Sequence, residues 1–180
     1  MSSDSPLTEI RPAEASDAPA LARLMEAYMR ETYRDSWHGS AEALLRDGFG
    51  REFEVHVART REGRVVGLVA WRRAYDLHHC VAGAEIFDMY VVPEFRTRSL
   101  GPALVCAVAA EVRRRGGAFI RGQAVDDPAV RRLYGRVAVC SPGVECTIGG
   151  RALRRLADLA GSPARTLARS LPEKSWNYEA

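Results

Sequence analysis

The stretch Val91-Val92-Pro93-Glu94-Phe95-Arg96-Thr97-Arg98-Ser99-Leu100-Gly101-Pro102-Ala103-Leu104 decides the fold of this chain. An apolar, β-prone run from Ile86 to Val92 stops at Pro93. A short loop with two arginines follows, and a helix opens after it. The first N–H groups of a helix have no intrahelical acceptor, and its dipole favours negative charge. A strand that delivers such a helix start through a small-residue loop is therefore an anion site. Arg96 and Arg98 are read as fixed positive charge beside those amides. The ligand expected is a phosphate or pyrophosphate.

Working outward, Leu7 to Arg11 reads as a first strand. Ser16 or Asp17 caps a helix that tolerates Pro19 in its first turn. Leu21, Leu24, Met25, Tyr28 and Met29 recur on its apolar face. Ser40 to Arg46 reads as a second helix, ending near Gly48. Phe53 to Arg59, Val65 to Tyr75 and Ala84 to Val92 read as an antiparallel run, with a hairpin turn at Glu62-Gly63. Leu100 to Arg115 is a helix with Leu104, Val105, Val108 and Val112 on one side. Phe119 to Val125 is a strand, and Asp127 to Tyr134 a helix capped by Asp126 or Asp127. Val137 to Cys140 and Val144 to Ile148 are two last strands, and Arg151 to Ala160 a last helix. Residues 161–180, with Pro163 and Pro172, read as a tail. The order predicts an α/β (α+β) fold. Its mixed, mostly antiparallel sheet has six to seven strands and helices on both faces. Residues 1–160 form one domain in this reading.

Composition narrows the classes. The 180 residues are 47% hydrophobic and 27% charged, with a net charge of +3. That is the balance of a globular domain able to bury its own core. Arg113, Arg114 and Arg115 precede Gly116 and fit the last turn of a helix rather than a nucleic-acid patch, since no aromatic residue interleaves with them. Cys80, Cys106, Cys140 and Cys146 are scattered and form no C-x-x-C pair. His78-His79-Cys80 is read as a loop, because adjacent residues do not converge on one ion. No metal is expected. No apolar run approaches the roughly 20 residues of a membrane span, and Ser2 to Thr8 is polar. The expectation is a cytoplasmic protein without nucleic-acid or membrane partners.

At these residues the chain resembles the GNAT acetyltransferases. Their Arg/Gln-x-x-Gly-x-Gly/Ala loop is matched by Arg96-x-x-Ser99-x-Gly101, preceded by Val91-x-Pro93. Asp127-x-x-Val130-x-x-Leu133-Tyr134 is similar to the family's Asn-x-x-Ala-x-x-Leu-Tyr helix, and Gly63-x-x-Val66-Gly67 to its central hairpin. The likeness covers roughly residues 8–148. A narrower likeness, to the spermidine/spermine N-acetyltransferase branch, lies in Asp47-Gly48-Phe49-Gly50, in Tyr75 and in Ile86-Phe87-Asp88-Met89-Tyr90-Val91. Ser99 stands where the family prefers Gly, Thr97 replaces another common Gly, Pro102 removes one N–H, and Phe87 replaces the branch's Glu.

The resemblance implies an acetyl-CoA-dependent N-acetyltransferase acting on a primary amine of a small molecule: a polyamine, a diamine or an amino-acid-like compound. It assigns cofactor contacts to Met89, Tyr90 and Val91 on the strand, to Arg96, Thr97, Arg98, Ser99, Leu100, Gly101 and Pro102 in the loop, and to Asp127. The strand's main chain would act as an oxyanion device. An alkylammonium has a pKa near 10.4, so roughly one in a few thousand is neutral at pH 7. Asp88 is the candidate base, ahead of Glu85, which strict alternation places on the opposite face. Tyr134 would protonate the departing thiolate. Each residue also has a structural reading: a solvated loop, a buried strand, a sheet carboxylate held by Arg, a core tyrosine. A catalytically silent acyl-CoA-sensing or protein-interaction module and an aminoglycoside acetyltransferase are the alternatives. A homodimer is expected because the family commonly forms one.

Overall fold

The computed structural model describes residues 9–123, together with 138, 139, 154, 157 and 158. The chain forms two compact units, Met1–Val125 and Asp126–Ala180; the fold described below is that of the first. Five strands occur among the described residues: β1 (Glu9–Pro12), β2 (Glu54–Arg59), β3 (Val65–Asp76), β4 (Val81–Val91) and β5 (Phe119–Gly122). They lie in the order β1-β2-β3-β4-β5. The first four pair antiparallel, and β4 and β5 pair parallel. The sheet is thus mixed and mostly antiparallel, as the pattern predicts, but with five strands rather than six to seven. Ala138 and Val139, inside the strand read over Val137–Cys140, are not in strand conformation, and Val139 is exposed. The strand read over Val144–Ile148 and the helix over Asp127–Tyr134 lie outside the described residues. Arg154, Ala157 and Asp158 are helical and exposed, in keeping with a helix there.

Three helices flank the sheet: α1 (Ala18–Tyr33), α2 (Ala41–Asp47) and α3 (Leu100–Arg114). Ser40 starts α2 as its cap, accepting the Ala43 N–H at 3.1 Å. Leu100, Leu104, Val108 and Val112 recur every fourth residue on α3, and all four are buried. Burying each such side chain stabilises the fold by about 1.5–3 kcal/mol. α1 and α3 pack on opposite sheet faces. The Tyr28 ring of α1 lies 5.7 Å from that of Tyr90. On the other face, a Cβ on Gly67 would stand 3.4 Å from Leu104 of α3.

Two boundaries differ from the sequence reading. β3 and β4 extend outward to Asp76 and back from Val81, beyond the Ala84 start expected from apolar content. Their outer residues are carried by cross-strand pairing rather than burial. Between β4 and α3, Pro93–Arg98 forms a 3₁₀ turn rather than an open loop.

Trp71 is the largest fully buried side chain among the described residues. Its Nε1–H donates to His56 Nδ1 at 3.1 Å, and the Arg115 guanidinium lies 5.1 Å from its ring centroid. His56 must therefore carry its proton on Nε2 and stay neutral. Burial lowers its pKa, while the nearby Glu111 and Glu54 act in the opposite sense. A group held neutral in the folded chain but free to protonate when unfolded stabilises above the unfolded pKa, about 6.5 for histidine. That stability is lost as the pH falls. The urea midpoint is expected to drop between pH 7.5 and 5.5, and His56→Gln, whose amide oxygen still accepts from Trp71, should flatten the drop. An unchanged profile in the variant would remove His56 from this role.

Candidate active site

The site is organised by a break in the sheet. Ala70 stands opposite Asp88, but Trp71 stands opposite Ile86. One extra residue, Phe87, is thus inserted into β4 as a bulge. The parallel ladder with β5 ends just before it, at the pair Ile86↔Gly122. Beyond the bulge, β4 is paired only with β3 among the described residues.

Main-chain direction there follows from one bond. The Val92 N–H donates to the Val66 carbonyl at 3.0 Å. Hydrogen-bonded and non-bonded pairs alternate along an antiparallel ladder. Tyr90 and Asp88 therefore also turn their main chain to β3, while Met89 and Val91 turn theirs to the opposite edge. The Val91 carbonyl lies where this requires: it accepts from Arg96 Nε at 2.9 Å. Of the three strand residues assigned to the cofactor, Met89 and Val91 present peptide groups on the open edge. Tyr90 does not.

The corner at the start of α3 lies beside that edge. A Cβ on Gly101 would meet nothing nearer than Met89 Cε at 3.9 Å, so the first turn of the helix is open to close approach. The Ala103 N–H bonds back to the Ser99 carbonyl at 3.1 Å. The amides of Leu100 and Gly101 precede this bond and have no intrahelical acceptor, and Pro102 has no N–H. Ser99 adopts a left-handed conformation, φ 57° and ψ 21°, and its side chain does not cap the helix. Two amides, one hydroxyl and the positive end of a 15-residue helix fit an anionic group. Thr97 and Arg98 lie in the preceding turn, and their side chains lie outside the described residues.

Arg96 differs from its sequence reading. Its Nη2 donates to Glu31 Oε2 at 2.7 Å, and its guanidinium lies 5.4 Å from the Tyr90 ring centroid. The Tyr90 hydroxyl donates to the same carboxylate at 3.0 Å. Arg96 holds Glu31 below the usual carboxylate range, burial opposes this, and Tyr90 adds to the lowering. The charge of Arg96 is thus balanced within the chain. The residue locks the turn to β4 and to α1 instead of standing ready as a lone cation.

On the α1 face lies Asp88. Burial raises its pKa, and a hydrogen bond from Tyr28 only partly offsets this. The Tyr28 hydroxyl is raised in turn, chiefly by burial and then by its hydrogen bond with Tyr33 and the charge of Asp88. The bulge corrects the alternation argument for Glu85. Glu85 stands opposite Arg72 and Asp88 opposite Ala70, so both carboxylates lie on one face. They differ in surroundings: Arg72 Nε donates to Glu85 Oε2 at 2.9 Å, leaving Asp88 the more weakly compensated. Phe87 is half exposed and meets Phe53 edge to face at 5.9 Å. Tyr28, Tyr33, Phe53 and Phe87 thus give this face aromatic walls around acidic groups. Sequence reasoning missed Tyr28 and Glu31 as functional neighbours. Leu24, Tyr28 and Glu31 fall at i, i+4 and i+7, and a carboxylate at core spacing was the available signal. Tyr134 and Asp127 lie outside the described residues, as do any contacts they make. No group of three or more His, Cys, Asp or Glu that could hold a metal occurs among the described residues.

Residues 21–138 match the family model "Acetyltransferase (GNAT) family". The fold is similar to that of a ribosomal-protein-alanine N-acetyltransferase from Brucella melitensis biovar Abortus 2308, at 22% identity and TM-score 0.65, covering 80% of this chain and 100% of that one. It is also similar to an aminoglycoside acetyltransferase from an uncultured soil metagenomic sample, solved with sisomicin, at 22% identity and TM-score 0.64, covering 79% and 95%. An integron cassette protein from the mobile metagenome of V. cholerae matches at 15% identity and TM-score 0.68, covering 83% and 97%. No curated protein matches the chain.

Left-handed backbone costs a non-glycine residue about 1–2 kcal/mol, and a glycine returns up to about 1 kcal/mol of this as unfolded-chain freedom. Ser99→Gly is therefore expected to raise stability by less than about 1 kcal/mol, read as a small rise in the thermal midpoint. A clear fall would show that the hydroxyl, not the backbone, decides the residue at this position.

Proposed function

The chain belongs to the acetyltransferase (GNAT) family, whose members use acetyl-CoA, and we propose that it acetylates a primary amine of a small molecule: a polyamine, diamine or amino-acid-like compound. The observation that carries this reading is the geometry of β4. One edge of the strand offers the peptide groups of Met89 and Val91 next to an anion-fitting helix start. Its α1-facing side carries a half-buried carboxylate among aromatic rings. The first suits a phosphorylated thioester and the second a cationic amine.

In this reading the amides of Leu100 and Gly101 and the Ser99 hydroxyl hold the pyrophosphate. The Val91 and Met89 peptides orient the pantetheine arm and polarise the thioester carbonyl. The ammonium of the acceptor gives its proton to Asp88, directly or through water. Its nitrogen pair then forms the bond to the acyl carbon, and the carbon–sulfur bond breaks as the tetrahedral species collapses. Tyr134 supplies the proton that the departing thiolate takes up. Supporting Asp88 over Glu85 is the raised pKa of Asp88, set by burial. A base must hold its proton well enough to take it, whereas Glu85 is already engaged by the Arg72 guanidinium. The narrower likeness to the spermidine/spermine branch, a single domain over 1–160, a homodimer and a cytoplasmic setting belong to the same proposal.

Free CoA release is to be measured with acetyl-CoA and a panel of polyamines, diamines, amino acids and aminoglycosides, the last because the similar structures include aminoglycoside acetyltransferases. Turnover with a small amine is the expected result. Acetyl-CoA binding without turnover on any amine would favour a silent sensor. Asp88→Asn keeps the shape and the contact with Tyr28 but cannot take a proton. It should lower kcat by about 100-fold or more and raise thermal stability at neutral pH, since a half-buried, weakly compensated charge is removed.

The acid limb of kcat/KM should lie above the usual carboxylate range of about 4. Tyr28→Phe, which removes a bond that favours the charged form, should move that limb to higher pH. A limb unmoved in Tyr28→Phe would take Asp88 out of the base role. Tyr134→Phe should lower turnover more than it weakens acetyl-CoA binding.

A further inference from the structure

Glu31, Glu85 and Asp88 bring three carboxylates to the α1-facing side of β4, and two of the three are already paired. Glu31 accepts from Arg96 Nη2 at 2.7 Å and from the Tyr90 hydroxyl at 3.0 Å. Glu85 accepts from Arg72 Nε at 2.9 Å. Asp88 has the Tyr28 hydroxyl as a partner and, among the described residues, no cation. The described face thus carries three acids but one unbalanced negative charge.

The spacing of the two β4 carboxylates gives this balance a consequence. Glu85 and Asp88 stand opposite Arg72 and Ala70, which are two residues apart on β3. At the rise of an extended chain the two acids lie roughly 7 Å apart along the strand. A short alkyl diamine spans that distance, with one ammonium on each carboxylate. Here the chain fills the second place itself: the Arg72 guanidinium stands on Glu85 as a distal ammonium would. The same guanidinium lies 5.9 Å from the centroid of the Phe87 ring. Phe87 is the residue that the bulge inserts between the two acids, and it is 43% exposed. Phe53 meets it edge to face at 5.9 Å and supports one side of the ring. An apolar ring left in water beside a lone carboxylate complements a ligand with one positive charge and a ring of its own.

Resting on the acetyl-transfer reading above, we propose that Arg72 and Phe87 set the class of the acceptor. They select an amino-acid-like monoamine that carries an aromatic ring, in preference to a diamine or polyamine. Its ammonium takes Asp88 and its ring covers Phe87. A second ammonium would approach Arg72, a like charge, and find its carboxylate taken. A free carboxylate next to the amine would stand beside Asp88, again like against like, so the favoured acceptor is uncharged elsewhere.

Isothermal titration on the full chain in excess CoA, which permits no transfer, tests this with phenethylamine, butylamine, putrescine and spermidine. Phenethylamine should bind the wild type about tenfold more tightly than butylamine. Putrescine should bind no more tightly than butylamine. Phe87→Ala, at an exposed position, should bring the first ratio close to one. Arg72→Gln frees Glu85 and should raise the affinity for putrescine relative to butylamine by about fivefold, a gain that fades in high salt. A misfolded variant cannot give that gain. The proposal is overturned by a wild type that binds putrescine or spermidine more tightly than phenethylamine, or binds none of the four. An aryl preference that survives Phe87→Ala, or a putrescine ratio unmoved in Arg72→Gln, overturns it as well. Its failure is separable from that of the transfer reading. The expected binding order without CoA release from acetyl-CoA would end the transfer reading alone. Turnover on spermidine ahead of phenethylamine would keep transfer and end this proposal.

Discussion

One misfit between two strands organises the described unit. The pairing of β3 and β4 loses a residue at Phe87, and the pairing of β4 with β5 ends one residue before it. A regular ladder would have consumed both edges of β4 and spent every peptide group on its neighbours. The bulge turns the strand, and the shortness of β5 leaves the far edge without a paired strand, among the described residues, just where α3 begins. Side chains then alternate across the strand as usual, Met89 toward α3 and Tyr90 toward α1. The result is a strand whose edge, and not its surface, is the polar feature.

The Arg96–Glu31 pair shows how little of this depends on salt-bridge energy. Both side chains are roughly 40% exposed, and exposed ion pairs contribute about 0–1 kcal/mol. Its consequence is geometric. Arg96 bonds the Val91 carbonyl, Glu31 bonds Arg96 and Tyr90, and Tyr90 packs on Tyr28, so the turn after β4 is tied to α1 by one chain of contacts. The Val91 carbonyl is engaged by this arrangement while its N–H remains directed outward. An edge that hides an acceptor and shows a donor is biased toward an oxygen ligand.

The sequence was legible where the signal is periodic or punctuated. Leu104, Val108 and Val112 of α3, Pro93 after a β-prone run, and Gly101 after Ser99 each have a local cause and stand where expected, although the buried face of α3 takes in Leu100 and leaves Val105 only partly buried. The antiparallel order of β2, β3 and β4 was legible from alternation and from the turn at Gly63. What failed were the properties that belong to pairs. A bulge is a relation between two strands, so alternation along β4 alone wrongly put Glu85 and Asp88 on opposite faces. The partner of Arg96 lies 65 residues away on α1, beyond any motif spacing. The length of the β3–β4 hairpin was underestimated for the same reason: its outer residues are polar and are held by each other rather than by the core.

The departures from the family loop at Ser99 and Pro102 compensate for each other. Pro102 deletes a donor from the first turn of α3 but fits its geometry, because a fixed φ and a missing N–H cost nothing there. Ser99 accepts left-handed backbone that glycine would adopt without strain, and in exchange brings a hydroxyl that the helix does not use for its own cap. The corner therefore still presents three donors: two amides and one hydroxyl. A lost peptide donor replaced by a side-chain donor one turn earlier keeps the charge complementarity of an anion site while changing its shape. With Arg96 already balanced by Glu31, the positive potential at this corner rests, among the described residues, chiefly on the helix and these donors.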